Sequence, residues 1–441
     1  MAEGINLRRL ALSLLEEYEA CGKYANLALN SHKTDALNHD ERAFLTKLFY
    51  TSVEHKLTYD YYIGAISARA LDKISPRVKN ILRLGICQLV DMDSVPPFAA
   101  VNETVKLAKN PGERSFVNGV LRSVARQSEN LPLPDKDKKY ARYLSVKYSF
   151  PLATVKKFIS VFGESETEEL LRCFSKIAPT DLSVNLKNTT RANFCKALSD
   201  AGYSANPSSY SKITVRIDGS CDPRALPGYA NGDFFVQDAA CAAAVSLLDA
   251  KRGETVIDVC AAPGGKSFAA AVMMGDGGRV VSFDIHESKL SLIEDGRSRL
   301  GLSSVAAFVH DSESPDKALL GKADKVICDV PCSGLGVLAK KPDIRYNSLE
   351  DISELPALQY SILNASAKYL KPGGRMIYST CTLLPEENRG VVDRFLSENG
   401  GYRTVNFEIN GISSEDGSFT FLPHKHGTDG FFVTLIEKVD V

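Results

Sequence analysis

The sequence predicts a multidomain protein: an all-helical N-terminal domain, a small α+β domain in the middle, and a C-terminal α/β domain on a mainly parallel sheet. Three observations carry that prediction. At 441 residues the chain exceeds one ordinary core, and its 44% apolar content is enough to fill two or three. Apolar residues recur at three- and four-residue spacing up to about Gln127, with no strand pattern between them. From Gly253 onward strand-like and helix-like stretches alternate, as a sheet covered on both faces requires.

Each element follows from its local pattern. In residues 1–130 the helical spacing is plain in Leu7, Leu10, Ala11, Leu14 and Leu15, and again in Ile81, Leu82, Leu84, Gly85 and Leu89. The stretch from Asn130 to Lys139 is charged and contains Pro132 and Pro134, which marks a linker. Residues 140–230 mix amphipathic helices (Leu152 to Phe162, Glu164 to Phe174) with strand-like pieces (Asp181 to Leu186, Ile213 to Ile217). Residues 231–441 hold the alternating region, with strands at Thr255 to Ala261, Arg279 to Ile285, Val305 to Asp311, Lys325 to Cys332 and Arg375 to Cys381. Gly430 to Val439 reads as a late strand, antiparallel at an edge.

Composition excludes several classes. A formal net charge of −1 rules out a globally basic nucleic-acid coat. It leaves room for a local basic face, for which Lys73, Arg77, Lys79 and Arg83 recur at helical spacing, beside Arg122, Arg126, Lys136, Lys138, Lys139, Arg142 and Lys147. A solvated surface helix is the commoner explanation of such charges. The ten cysteines form no CxxC pair and no charged-then-apolar leader opens the chain, so reduced thiols in the cytoplasm are expected. Apolar windows such as 235–248 fall short of the ~20 residues that span a bilayer.

Two groups of residues point to chemistry. Asp258, Asp284, Asp311 and Asp329 stand at the C-terminal ends of successive predicted strands, the edge that borders the ligand crevice of an open α/β sheet. Acids also cap helices in such turns, so any one alone says little. The turn after the first strand reads Ala261-Ala262-Pro263-Gly264-Gly265-Lys266 rather than GxGxxG, which argues against a hydride-transfer cofactor. Gly264 and Gly265 permit close backbone approach to a ligand, and Asp284 suits a ribose diol. The second group is Cys332 and Cys381, each following an apolar run into a loop of Pro, Gly, Ser and Thr. A free cysteine in a strand is usually a small buried hydrophobe, which suits Cys21, Cys87, Cys173, Cys195, Cys241 and Cys328 but not these two. Cys328, Cys332 and Cys381 lack the CxxC spacing of a zinc site, so no metal is expected. His424 and His426 read as solvated loop residues.

Five motifs then carry a resemblance. DVCAAPGGKS (258–267), DVPCSGLGV (329–337), KPDIRY (341–346), KPGGRMIYSTCTLLPEEN (371–388) and TDGFFV (428–433) resemble the RsmB (Sun, Fmu) family of S-adenosylmethionine-dependent ribosomal RNA cytosine-C5 methyltransferases. ERAFLTKLFYTSVEHKLTYDYYI (41–63) and FVNGVLRSVAR (116–126) are similar to that family's NusB-type helical RNA-binding domain. The resemblance implies a NusB-like domain over 1–130, an RNA-recognition domain over 140–230 and a Rossmann-like class I methyltransferase domain over 231–441. By position Cys381 matches the family nucleophile and Cys332 the cysteine that assists proton removal and product release. Asp329 would hydrogen-bond the flipped cytosine or the methyl-donor end. Cys260, Ala261, Ala262, Pro263, Gly264, Gly265 and Lys266 would hold the methionine portion of S-adenosyl-L-methionine, Asp284 its ribose and Asp311 its adenine.

Such an enzyme needs a thiol because C5 of cytosine is a poor nucleophile until a thiolate adds at C6. The implied partner is an unpaired or extruded cytosine in 16S rRNA, since a stacked base hides both carbons. No obligate protein partner is implied. Transfer RNA as substrate, or a catalytically inactive RNA-binding assembly or antitermination factor, are the alternatives. One departure from the family pattern lies at Leu338-Ala339-Lys340-Lys341-Pro342, where relatives are more basic; another is Cys241 with the alanines after it.

Overall fold

The three- and four-residue apolar spacing folds into helices throughout the first of two units in the computed structural model, which describes residues 6–21, 34, 37–219 and 221–439. That unit takes residues 1–172 and, from far along the chain, 341–347. Its helices run α1 (Leu7–Cys21), α2 (His39–Glu54), α3 (Lys56–Ser67), α4 (Pro76–Val90), α5 (Pro97–Val105), α6 (Pro111–Arg126), α7 (Tyr140–Lys147) and α8 (Leu152–Phe162), and α9 (Glu164–Phe174) leads out of it. Sequence sets several of these starts. Asn38 and Glu41 form a reciprocal capping box at α2, while Ser75 and Asn110 cap α4 and α6 just ahead of a first-position proline. Helices α4 and α6 close tightly at Gly85, where a Cβ would lie 2.6 Å from the Leu121 side chain.

The basic spacing on α4 does not make a basic face. Arg83 is 4% exposed and bonds both oxygens of Asp60 at 2.7 Å, with Glu19 and Asn80 also at 2.7 Å. Arg77 pairs with Glu16 at 2.7 Å. These charges are consumed internally, which helical spacing alone cannot reveal. Lys147 likewise donates to Glu168, whose carboxyl is drawn down to about 2 by that bond despite its desolvation.

The returning segment 341–347 is built around Arg345, which is fully buried. Its guanidinium stacks over Phe150 at 4.4 Å and reaches Glu54 Oε1 at 3.3 Å, while the Tyr346 hydroxyl donates to the Glu54 carbonyl at 2.7 Å. KPDIRY is therefore an anchor in the helical unit.

The second unit holds residues 173–340 and 348–441. A four-stranded antiparallel sheet in the order β2-β3-β1-β4 is formed by β1 (Thr180–Val184), β2 (Ala205–Pro207), β3 (Thr214–Ile217) and β4 (Phe234–Val236). Helix α10 (Arg191–Asp200) buries Phe194 and Leu198 against the same apolar cluster as Leu182, Val215 and Phe234. The parallel core of the larger sheet is β5 (Thr255–Asp258), β6 (Arg279–Asp284), β7 (Val305–Val309), β8 (Ala323–Asp329) and β9 (Leu370–Thr380). After these the chain adds β10 (Tyr402–Thr404), a separate pair of β11 (Phe407–Ile409) and β12 (Ile412–Ser414), then β13 (Ser418–Phe421) and β14 (Phe431–Lys438); the larger sheet runs β10-β14-β9-β8-β5-β6-β7, with β13 also on β14. Helices α11 (Ala239–Ser246), α12 (Gly265–Met273), α13 (Glu287–Leu300), α14 (Leu355–Ala367) and α15 (Arg389–Glu398) belong to the same unit. The fold is the expected Rossmann-like one. The chain goes outward through β6 and β7, then returns to β8 on the other side of β5, creating the switch point at which such sheets bind ligands.

One expectation fails. The late strand β14 (Phe431–Lys438) is antiparallel but interior, because β10 (Tyr402–Thr404) and β13 (Ser418–Phe421) pair beyond it. Those strands are too short to show clear alternation. Among the described residues no helix is long and apolar enough to cross a membrane.

Replacing Arg345 with Met removes the charge that meets Glu54 and two buried carbonyls. We expect the helical unit to lose about 2–3 kcal/mol in urea unfolding. A loss below about 0.5 kcal/mol would show that the segment is not an anchor.

Candidate active site

Strands β8 and β9 lie parallel with Asp329 opposite Ser379, so both chains leave the sheet at one edge and the next few residues form facing loops. The register delivers the two cysteines together: Cys332 Sγ and Cys381 Sγ are 3.1 Å apart, both half-buried and neither in a disulfide, and the Cys381 N–H points at Cys332 Sγ at 3.3 Å. Cys381 beside it, and then burial, push the Cys332 thiol well above its ordinary value.

A buried carboxylate that sequence reading did not single out locks the loops. Glu387, 1% exposed, accepts from Ser333 N (2.9 Å), Ser333 Oγ (2.6 Å), Thr382 Oγ1 (3.2 Å) and Gln359 Nε2 (2.9 Å). It thus ties the residue after Cys332 to the residue after Cys381. Asn388 adds a bond to the Thr382 carbonyl at 3.1 Å. The signal was the PEEN tetrapeptide, quoted for its resemblance but given no role. A second lock is backbone on backbone. Gly336 N–H donates to the Cys381 carbonyl and Gly430 N–H to the Gly336 carbonyl, both at 2.8 Å. A Cβ on Gly336 would sit 2.0 Å from the Gly430 oxygen, so glycine is required there.

Asp329 stands beside the thiol loops. Its Oδ2 meets Lys266 Nζ at 2.7 Å and its Oδ1 accepts from Ser379 Oγ at 2.7 Å. Burial works against the Lys266 ammonium, but Asp329 more than offsets it, and Lys266 ends above its ordinary value. Lys266 links the cofactor turn to the catalytic loops.

The turn from Cys260 to Lys266 fits an S-adenosylmethionine site on three counts. Helix α12 begins at Gly264 with no side-chain cap, leaving its first N–H groups for an anionic ligand such as an amino-acid carboxylate. Asp258 is fully buried, with Oδ2 bonded to Ser267 Oγ at 2.7 Å and Oδ1 without a protein partner. Burial, opposed by that serine bond, pushes its carboxyl up to about 7. Asp284, at the end of β6, accepts from Ala262 N at 3.3 Å and His286 N at 3.0 Å, placing it on the turn that carries Pro263. Asp311 lies two residues past β7, exposed, and its carboxylate accepts from Glu313 N at 3.1 Å. All four strand-end acids therefore share the C-terminal edge of the sheet, though Asp258 is enclosed and Asp311 open.

Other expectations resolve individually. Lys340, in the stretch that departs from the family's basic pattern, bonds Asp429 Oδ2 at 2.7 Å and Asp238 Oδ2 at 3.2 Å. It is an internal ion pair. His426 is not a solvated loop residue: its Nδ1 accepts from Leu422 N at 2.8 Å and its ring packs among Tyr210, Phe419 and Phe421. Cys87 and Cys328 are fully buried, as small hydrophobes should be. The Cys21 side chain lies outside the described residues.

Comparison with known proteins agrees with this geometry. The family model for 16S rRNA methyltransferase RsmB/F matches residues 245–437, the NusB family model residues 5–126, and the ferredoxin-like domain of RsmF/B-like methyltransferases residues 150–224. The chain is 34% identical to the "Probable ribosomal RNA small subunit methyltransferase B" of Synechocystis sp., covering 98% of this chain and 100% of that one. It is 31% identical to the ribosomal RNA small subunit methyltransferase B of Serratia proteamaculans, covering 100% of both. The crystal structure of PH0851 superposes with a TM-score of 0.80 at 26% identity, over 99% of this chain and 100% of that one. With its thiol pair, cofactor turn and helical unit in these matched regions, the chain belongs to the RsmB/F family of S-adenosylmethionine-dependent 16S rRNA methyltransferases.

Proposed function

We propose that this protein methylates C5 of an unpaired or extruded cytosine in small-subunit rRNA through a covalent bond between Cys381 and C6, in the cytoplasm. The observation that carries this reading is the 3.1 Å thiol pair beside the Lys266–Asp329 ion pair. One thiol alone would serve many chemistries. Two thiols in contact suit a reaction that needs a nucleophile and, later, a base.

The steps balance on the chain's own groups. The Cys381 thiolate forms the S–C6 bond, and the C5=C6 electrons shift to C4=C5 as Cys332 gives its proton to ring nitrogen N3. Asp329, steadied by Lys266 and Ser379, accepts hydrogen bonds from the N3 and exocyclic N–H groups and favours the protonated adduct. When bound, S-adenosylmethionine supplies an electrophilic methyl group to C5. The Cys332 thiolate then takes the C5 proton, C5=C6 re-forms, and Cys381 leaves as a thiolate. Product deprotonation at N3 restores the starting charges. Residues 260–266 would hold the methionine portion, Asp284 the ribose and Asp311 the adenine, with Asp329 at the methyl-donor end.

Trapping the adduct tests the thiol roles. With S-adenosylmethionine and small-subunit rRNA, Cys332→Ala should accumulate a denaturation-resistant protein–RNA adduct, and Cys381→Ala should form none. Reversed behaviour would exchange the roles; modification of transfer RNA alone would overturn the substrate; reaction with neither RNA would favour a binding factor.

Glu387→Gln tests the loop lock separately. An amide presents one acceptor oxygen where four donors converge, so the thiols should drift apart. We expect kcat to fall about 100-fold with KM for RNA within about 3-fold. An unchanged kcat would show that Glu387 does not position the thiols.

A further inference from the structure

We propose that a groove between α5 and α6 of the helical unit binds an unpaired stretch of RNA, one base stacking on Phe98 and phosphates pairing with Arg122 and Arg126. The inference rests on the reading of this protein as an enzyme of RNA, and assigns a surface of the helical unit that holds the substrate.

The groove, about 580 Å³, is lined by Pro97, Phe98, Asn102, Gly119, Arg122 and Arg126. Phe98 is 79% exposed and adds nothing to the core of its unit, an arrangement that water disfavours unless a partner covers the ring. Every base has a face that stacks on such a ring, whatever its identity. Arg122 and Arg126 stand four residues apart on α6, on one side of the helix. Arg122 Nε donates to Asn118 Oδ1 at 3.0 Å and Arg126 Nη2 to Ser123 Oγ at 3.1 Å, so both partners are neutral. Among the described residues no carboxylate pairs with either, whereas Arg77, Arg83 and Lys147 are each neutralised by Glu or Asp. The positive charge of this unit that stays open to a polyanion therefore includes this groove and excludes most of α4.

The floor supplies an independent observation. Gly119 sits mid-helix, where glycine weakens the helix, and nothing lies within 4 Å of a Cβ built on it. No packing among the described residues requires glycine there. A ligand approaching the helix backbone does, and the Asn102 amide across the groove has a donor and an acceptor for a base edge. Single-stranded RNA fits the combination of aromatic ring, unneutralised guanidiniums and bare backbone better than an apolar protein surface, which would leave both charges unpaired.

The test uses the full-length protein, a fluorescein-labelled unpaired ribo-oligonucleotide and a duplex of the same length. Phe98→Ala should weaken binding of the unpaired oligonucleotide about 5- to 150-fold. Arg122→Ala with Arg126→Ala should flatten the slope of log affinity against log salt by about 1.4. Gly119→Leu fills the groove with a better helix former, so it should weaken binding while the unfolding temperature holds or rises. Wild-type affinity in all three overturns the proposal, as would loss of a co-purifying ribosomal protein with oligonucleotide binding intact. Methyl transfer is followed in parallel across rRNA concentrations, and KM for rRNA should rise in each variant. A wild type that binds the oligonucleotide yet methylates no cytosine would sink the catalytic reading and leave the groove judged on binding alone.

Discussion

The parallel register of β8 against β9 is the constraint on which the rest of the active site depends. Side-chain direction in a strand has a period of two, and a one-residue slip would turn each strand-end residue to the other face. With Asp329 opposite Ser379, the two loops begin level with each other and their thiols close to 3.1 Å. A register alone leaves loops free to diverge, however. Glu387 and the Gly336–Cys381 backbone bond remove that freedom by joining the loops at side chain and backbone. Burying a carboxylate is costly unless its oxygens are satisfied, and four donors meet that condition only when both loops are in place. The anchor and the catalytic geometry thus form together or not at all.

The same logic explains why a chain of net charge −1 still carries strongly biased local fields. Most of its buried cations are matched one by one: Arg83 by Asp60 and Glu19, Arg216 by Asp181, Lys266 by Asp329, Lys340 by Asp238 and Asp429. What is left to interact with an RNA is the remainder, not the sum. Counting basic residues by helical spacing therefore overstated the free charge, because the acids that neutralise Arg77 and Arg83 come from α1 and α3, distant in sequence.

Legibility in the sequence divides along the same line. The fold class was readable because apolar periodicity is a local property, and so were the helices Leu152–Phe162 and Glu164–Phe174, whose bounds match the observed ones. Strand-end acids and loop cysteines were readable because chemistry-bearing residues at a sheet edge interrupt an apolar run. Partners were not. Glu387 lies 54 residues from Ser333, Asp429 lies 89 from Lys340, and Arg345 lies 291 from Glu54. Only the folded topology brings such pairs together, and no spacing rule spans those distances. The interior place of β14 was missed for a related reason: its flanking strands β10 and β13 are three and four residues long and owe their structure to pairing.

The return of residues 341–347 to the helical unit changes what a domain boundary means in this protein. Lys340, which bonds Asp238 and Asp429 in the catalytic unit, is followed at once by a segment whose central arginine is buried among Glu54, Tyr148 and Phe150 of the other. Cutting the chain near residue 172 would strip Arg345 of its carboxylate and its aromatic face, leaving a desolvated-by-design cation attached ten residues or so beyond the Cys332 loop. The helical unit would in turn lose the guanidinium that satisfies the Glu54 and Tyr148 carbonyls. Neither half is complete as a linear fragment, so the helical unit is tied to the catalytic one by covalent chain as well as by any shared substrate.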